Sequence, residues 1–311
     1  MGSLVAKLAD RIDRFGPLPF DEVMDLALYD PEGGFFATSG SAGRRGDFLT
    51  SPEVGPLFGA VLARAIDSWW ESLGEPDPFL VVDAGAGSGT LARGVLAAEP
   101  SCSGAMTLVL VESSDVLRSQ HQLGLPLVPP AVVLPAASVR YDGEPKTESG
   151  AGPRVVSLPG LPALNFKGVV VANELLDNLP FRIVEWEDDG WHEIRVGREG
   201  DAFTEVLAPC PELTRILGPL AGRIPTGARV PVQTAAASWV RTVLGRLTLG
   251  RLVVFDYAAT TSELVSREGG WLRTFRAHER GLSPLQDLGE QDITSDVAID
   301  QVTRDHPPTL V

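Results

Sequence analysis

The chain has 311 residues, 22% of them charged, with 26 Lys and Arg against 41 Asp and Glu and a formal net charge of −15. That length fits one large α/β domain with insertions or two modest ones, and the acidic balance speaks against non-specific nucleic-acid binding, which needs a basic surface to displace counterions. Cys102 and Cys210 are too few and too isolated for a disulfide framework or a zinc site, and with no apolar run near the roughly 20 residues of a membrane span and no signal-peptide core at the start, a cytoplasmic protein is expected.

Residues 4–15 carry apolar side chains at helical spacing, and Gly16-Pro17-Leu18-Pro19 breaks the pattern. A second amphipathic helix is predicted over 20–29, stopped by Asp30-Pro31-Glu32-Gly33-Gly34. A glycine-rich, partly basic loop over 39–46 leads to Asp47-Phe48-Leu49-Thr50-Ser51-Pro52-Glu53, and Ser51-Pro52-Glu53 reads as the entry to a long helix over 56–73 with Leu57, Val61, Ala65 and Trp69 on its face. These segments precede the first core strand. Residues 1–75 are therefore expected to form a helical cover over a ligand held by the remainder.

That ligand site is organised around Leu80-Val81-Val82-Asp83-Ala84-Gly85-Ala86-Gly87-Ser88-Gly89-Thr90-Leu91, an apolar strand ending in an acid that opens into three glycines at alternate positions. A loop that lets a ligand lie against its backbone has no room for Cβ atoms, and it calls for positive φ. Thr90 or Ser88 is placed to cap the following helix, residues 91–98. A dinucleotide fold prefers G-x-G-x-x-G/A, whereas Gly85, Gly87 and Gly89 are spaced G-x-G-x-G, which favours S-adenosylmethionine over NAD. Thr107-Leu108-Val109-Leu110-Val111 is a second strand, and Glu112 at its tip can accept both ribose hydroxyls of an adenosine or, alternatively, cap the helix that begins near Ser113. Asp83, Gly85, Gly87, Gly89 and Glu112 are the candidate cofactor residues here.

Further along, a helix is predicted over 114–123, a third strand over 131–134, a polar excursion over 142–152, and a short strand and turn over 154–162. Gly168-Val169-Val170-Val171-Ala172 is a buried strand ending at Asn173 and Glu174. In such sheets the tip of this strand lies beside the reacting group. If Glu174 opens a helical turn, it and Asp177 point to one side and together hold a guanidinium. Asn173, Glu174 and Asp177 are the candidate catalytic residues, with helix capping and a turn before Pro180 as their structural alternative. Residues 181–186 and 191–196 alternate as a hairpin around Asp189-Gly190, helices are predicted over 211–217 and 232–247, and residues 250–257 form a late core strand ending in Asp256 and Tyr257, which line the cleft or cap the strand. His121, His192, His278 and His306 have no partner at metal spacing, and no metal is expected.

Several blocks resemble the MidA family of class I S-adenosylmethionine-dependent methyltransferases. They are Phe15-Gly16-Pro17-Leu18-Pro19-Phe20, Ala27-Leu28-Tyr29-Asp30-Pro31 with Gly33-Gly34-Phe35-Phe36, Gly46 to Glu53 with Leu57-Phe58-Gly59, the glycine loop, Val171-Ala172-Asn173-Glu174-Leu175-Leu176-Asp177-Asn178-Leu179-Pro180, Leu272-Arg273-Thr274-Phe275-Arg276-Ala277-His278 and Gly289-Glu290-Gln291-Asp292-Ile293-Thr294. Phe35-Phe36 replaces a usual tyrosine pair, and Ser295 to Asp300 lacks a histidine that many relatives carry. The family includes a mitochondrial complex I assembly factor that methylates a protein arginine, so the resemblance implies a basic, arginine-bearing protein segment as acceptor. It also places Asp47, Thr50, Ser51 and Pro52 as a segment that closes over the cofactor, with an ordinary helix-entry turn as the alternative.

The expectation is thus an α/β protein with a Rossmann-like class I methyltransferase sheet, residues 76–311, carrying an inserted hairpin and helical region at about 181–247 behind the N-terminal cover. An assembly factor or interaction module that binds the cofactor without transfer is the alternative from another class. An NAD-dependent oxidoreductase is disfavoured by the glycine spacing.

Overall fold

The computed structural model describes residues 3–38, 56–134, 152–217, 220, 224–267, 270–276 and 279–305. The chain forms two compact units, one of Ser41–Leu175 with Arg241–Phe255, the other of Met1–Gly40, Leu176–Val240 and Asp256–Val311.

The first unit consists, in chain order, of helix α1 (Pro56–Ser72), strand β1 (Phe79–Ala84), α2 (Thr90–Ala97), β2 (Met106–Val111), α3 (Asp115–Gln120), β3 (Arg154–Leu158), β4 (Phe166–Asn173) and β5 (Leu247–Phe255). The five strands form one parallel sheet in the order β5-β4-β1-β2-β3, with Val82 of β1 opposite both Val109 and Val170. Every residue of β1 and β2 is buried, as continuous Val and Leu runs require in a parallel sheet covered on both faces. The chain runs outward from β1 to β3 and then returns to the other side of β1 at β4. The switch point therefore lies between the carboxyl ends of β1 and β4, where open α/β sheets bind ligands.

Packing of the helices explains why α1 belongs to this sheet and not to an N-terminal cover. A Cβ on Gly59 would stand 2.7 Å from Gly94 Cα, so α1 and α2 cross at backbone contact that two glycines permit. Phe58 meets Phe255 of β5 edge-on with ring centroids 5.3 Å apart. Buried Asp67 of α1 accepts the Cys102 N–H at 3.0 Å and an Arg64 Nη1 bond at 3.0 Å, tying the helix to the turn before β2.

The third sheet strand is β3, residues 154–158, and not the expected 131–134. Pro129-Pro130 begins a helical turn, Pro130–Val133, because proline at the first helical position lacks only an N–H that would be unpaired anyway. α2 is headed by Gly89 in a left-handed conformation (φ +83°) with no side-chain cap, so neither Ser88 nor Thr90 caps it.

The second unit holds the helices Ser3–Phe15 and Phe20–Tyr29, both at the predicted positions, packed on the strand Gly190–Glu199. The expected hairpin is real but is not an isolated insertion: Arg182–Glu187 and Gly190–Glu199 continue into Ala202–Pro209 and Arg229–Val232, and Leu18 and Pro19 pair with Val196 and Arg195. Phe181 links these layers, with Phe20 at 5.6 Å and Trp271 at 5.7 Å. Buried Gln233 and Gln301 saturate the backbone nearby: Gln233 Oε1 accepts Ala298 N–H at 2.7 Å, Gln301 Oε1 accepts Gln233 N–H at 3.0 Å, and Gln301 Nε2 donates to Pro231 O at 2.9 Å. Among the described residues no helix is long and apolar enough to cross a membrane.

Candidate functional site

At the carboxyl edge of β1 the chain turns through Gly85, Gly87 and Gly89 at φ +74°, +55° and +83°, a left-handed course that side chains rarely adopt. Gly85 and Ala86 donate their N–H groups to Val111 O at 2.9 and 3.0 Å, which hangs the loop on the end of β2. The three glycines have different neighbours. A Cβ on Gly85 would meet Leu175 Cδ1 at 3.0 Å and one on Gly89 would meet Leu110, Leu125 and His121 at 3.1–3.3 Å, whereas a Cβ on Gly87 would meet none of the described residues within 4 Å. The backbone at Gly87 is thus open on the side where a side chain would project.

Glu112 follows β2 and is 8% exposed. Its Oε2 accepts the Gly87 N–H at 2.9 Å and its Oε1 the Ser114 N–H at 2.8 Å, so the carboxylate holds the glycine loop while retaining lone pairs for a ligand. Ser114 supplies the cap of α3, accepting from Leu117 N–H. Asp83, near the end of β1, is buried and its Oδ2 has no hydrogen-bond partner among the described residues. Burial, reinforced by the Glu112 charge, pushes its carboxyl up to about 7, and burial also raises Glu112.

Two residues that spacing did not single out complete the loop. His121 is fully buried, with Nε2 2.8 Å from Gly87 O and Nδ1 2.8 Å from Ser157 Oγ. Arg93 donates from Nη1 to Ser88 O at 2.8 Å and from Nη2 to Thr90 Oγ1 at 3.0 Å. A lone histidine 34 residues from the glycine it touches carries no local signal.

Asn173 ends β4 in register with Phe255, and Glu174 N–H donates to Phe255 O at 2.8 Å. Glu174 is half-buried and left-handed (φ +48°), a conformation uncommon for a side chain with a Cβ and costing on the order of 1–3 kcal/mol. The helical turn that was to begin at Glu174 starts instead at Leu176, as a 3-10 turn. Asp83, the three glycines, Glu112, Asn173 and Glu174 are thus brought to one edge of one sheet.

Asp177 belongs to the other unit, where it is buried. Its Oδ2 accepts Thr294 Oγ1–H at 2.6 Å, its Oδ1 has no hydrogen-bond partner among the described residues, and burial raises its carboxyl. Asp256, in the same unit, heads the 3-10 turn Leu176–Asn178: Oδ2 accepts the N–H groups of Leu176 and Asp177 at 3.0 and 3.3 Å, and Oδ1 that of Tyr257 at 2.9 Å. Burial and the neighbouring Asp177 push Asp256 up to about 8. Asp47, Thr50, Ser51, Pro52 and His278 lie outside the described residues.

Asp83 yields a pH test. Its folded carboxyl titrates near 7, above the unfolded value of about 4, so its contribution to stability is full below that lower value and is lost as pH rises through 7. Asp83→Asn removes the ionisation. The thermal midpoint of the variant minus that of the parent is expected to grow more positive from pH 4 to pH 8; a difference constant with pH would show that Asp83 does not titrate there.

Residues 61–306 match the profile of a family described as S-adenosyl-L-methionine-dependent methyltransferases. A crystal structure of a superfamily member from Burkholderia thailandensis bound to S-adenosyl-homocysteine is similar, with 30% identity and a TM-score of 0.79 over 98% of this chain and 76% of that one. The protein arginine methyltransferase NDUFAF7 homolog of Drosophila melanogaster, a mitochondrial protein, is 28% identical over 95% of this chain and 68% of its own length. Human NDUFAF7, named a mitochondrial protein arginine methyltransferase, is 28% identical over 66% of this chain. The matched stretch spans about half the length of the human protein, at 48%.

Proposed function

We propose a function on the premise that this chain belongs to the family of S-adenosyl-L-methionine-dependent methyltransferases, the MidA family its motifs resemble: it transfers a methyl group to an arginine side chain of a protein. The observation that carries this is the glycine loop at the switch point with Glu174 on the same sheet edge. The loop fits the cofactor, because Gly87 leaves its open side clear of chain atoms and Asp83 Oδ2 and Ser88 N–H have no partner within the described residues. Asp83, Gly85, Gly87, Gly89 and Glu112 would hold it, and when bound it supplies a methyl group already activated by its sulfonium.

What remains for the chain is to orient the acceptor, exclude water and take up one proton for each methyl group accepted. The names of the relatives support arginine as acceptor, and the chain's net charge of −15 suits a basic protein segment. A guanidinium nitrogen is a poor nucleophile because its lone pair is delocalised over the planar cation. The Glu174 carboxylate would accept a hydrogen bond from it, localise its charge and take its proton as the new bond forms. Asn173, next to Glu174 at the end of β4, and Asp177, held in the other unit by Thr294, remain candidate catalytic residues.

Incubating the protein with tritiated S-adenosylmethionine and a cell lysate, followed by mass spectrometry, should reveal labelled protein bearing methylarginine. Label confined to another residue type would remove arginine, and tight cofactor binding with no transfer would favour a non-catalytic assembly factor. Glu112→Ala is expected to weaken S-adenosylhomocysteine by about 1.5–3 kcal/mol, as for lost bonds to a charged group. Titration calorimetry reads this directly, and unchanged affinity would restrict Glu112 to holding the N–H groups of Gly87 and Ser114.

A further inference from the structure

We propose that His121 is a positioning residue for the cofactor: it fixes the peptide between Gly87 and Ser88 so that the Ser88 N–H is presented to a hydrogen-bond acceptor of the bound molecule. This rests on the cofactor occupying the glycine loop. A carbonyl oxygen only accepts, so the 2.8 Å approach of Nε2 to Gly87 O puts the ring proton on Nε2. In the neutral ring Nδ1 then carries a lone pair, and Ser157 Oγ–H donates to it at 2.8 Å. Ser157 stands in β3 opposite Leu110 of β2, so the sheet holds the hydroxyl that satisfies Nδ1 once Gly87 O has fixed the tautomer. The other tautomer would aim a nitrogen lone pair at the Gly87 carbonyl.

The peptide plane transmits this choice. In a trans peptide the C=O of one residue and the N–H of the next point in opposite directions. Holding Gly87 O against His121 therefore turns Ser88 N–H away from the imidazole, and that N–H has no partner in the chain among the described residues. Both sides of Gly87 are secured, since Glu112 Oε2 takes its N–H and Arg93 takes the Ser88 carbonyl. His121 also lies close beneath Gly89, whose missing Cβ would come within 3.3 Å of its Cδ2. The ring is held neutral first by burial and then by the positive charges of Arg93 and Arg118, while its bond to Gly87 O acts in the opposite sense.

Three variants test this by titration with S-adenosylhomocysteine alongside thermal unfolding. His121→Phe keeps the ring but loses the donor, and affinity should fall roughly 10- to 100-fold, as when a buried acceptor loses its partner. His121→Gln can place an amide N–H near the Nε2 position and should restore most of that loss. Ser157→Ala touches no loop atom, yet it leaves the buried Nδ1 without a donor, loosens the ring and should weaken binding several-fold. In turnover, the Phe variant should raise the KM for S-adenosylmethionine more than it lowers kcat. Full affinity in His121→Phe, or equal losses in the Phe and Gln variants that track their thermal midpoints, would overturn the proposal. Failure of the parent protein to bind S-adenosylhomocysteine in the same titration would instead refute the cofactor assignment.

Discussion

Gly87→Val is expected to abolish S-adenosylhomocysteine binding while leaving a folded protein. Gly87 sits at φ +55°, and a β-branched residue there carries strain on the order of 1–3 kcal/mol. No described residue lies within 4 Å of the position a Cβ would take, so the added side chain starts into the open space where the ligand is expected. The loss is therefore steric at the site and only modest in stability. Gly85→Ala provides the contrast, since its Cβ would press on Leu175 at 3.0 Å and its cost should appear mainly in the thermal midpoint. Calorimetric titration at concentrations that saturate the parent should give no binding heat with Gly87→Val. Affinity within a few-fold of the parent would show that the open side of Gly87 does not face the cofactor.

Glu174→Gln is expected to remove methyl transfer and spare cofactor affinity. The change is nearly isosteric and keeps a hydrogen-bond acceptor, but it eliminates both the negative charge that localises a guanidinium and the site for its proton. Loss of a positioned general base lowers rate by roughly 100- to 10,000-fold. Because Glu174 acts on the acceptor, S-adenosylhomocysteine should bind with nearly unchanged affinity. Its left-handed backbone offers a second comparison: Glu174→Gly relieves the strain of φ +48° and should stabilise the fold while destroying activity, the pattern of a residue retained for chemistry. A fully active and normally stable Glu174→Gln protein would remove Glu174 from the mechanism. Joint loss of thermal stability, cofactor binding and activity would assign it a structural role instead.

Much of this molecule is legible without coordinates because it is encoded locally. The short, β-branched Val and Leu runs of β1, β2 and β4, bounded by turn residues, read as strands buried on both faces, three alternating glycines after an acid read as a tight loop, and the amphipathic spacing over 4–15 and 20–29 yields helices at those places. Order along the chain then implies the parallel sheet and its ligand edge, since a strand, loop, helix and strand must cross over in one hand. Glu112 was equally visible at a strand tip, though its hold on Gly87 N–H was not.

Everything that depends on a partner far along the chain was decided by tertiary structure. Residues 131–134 and 154–158 are both short and apolar, and only the pairing of Val155 and Val156 with Leu108 and Val109 made the second the sheet strand. Helix α1 looked like part of a cover until Gly59 met Gly94. The hydrogen bond that Asp177 accepts comes from Thr294, 117 residues away, and Asp256 gathers backbone N–H groups about 80 residues distant. His121 and Arg93 gained their roles in the same way, from the loop that folding brought to them. Periodicity reports which face of an element is buried; it does not report what covers that face, because hydrophobic burial is non-directional and the polar contacts that fix register and site geometry form only once the distant segments have met.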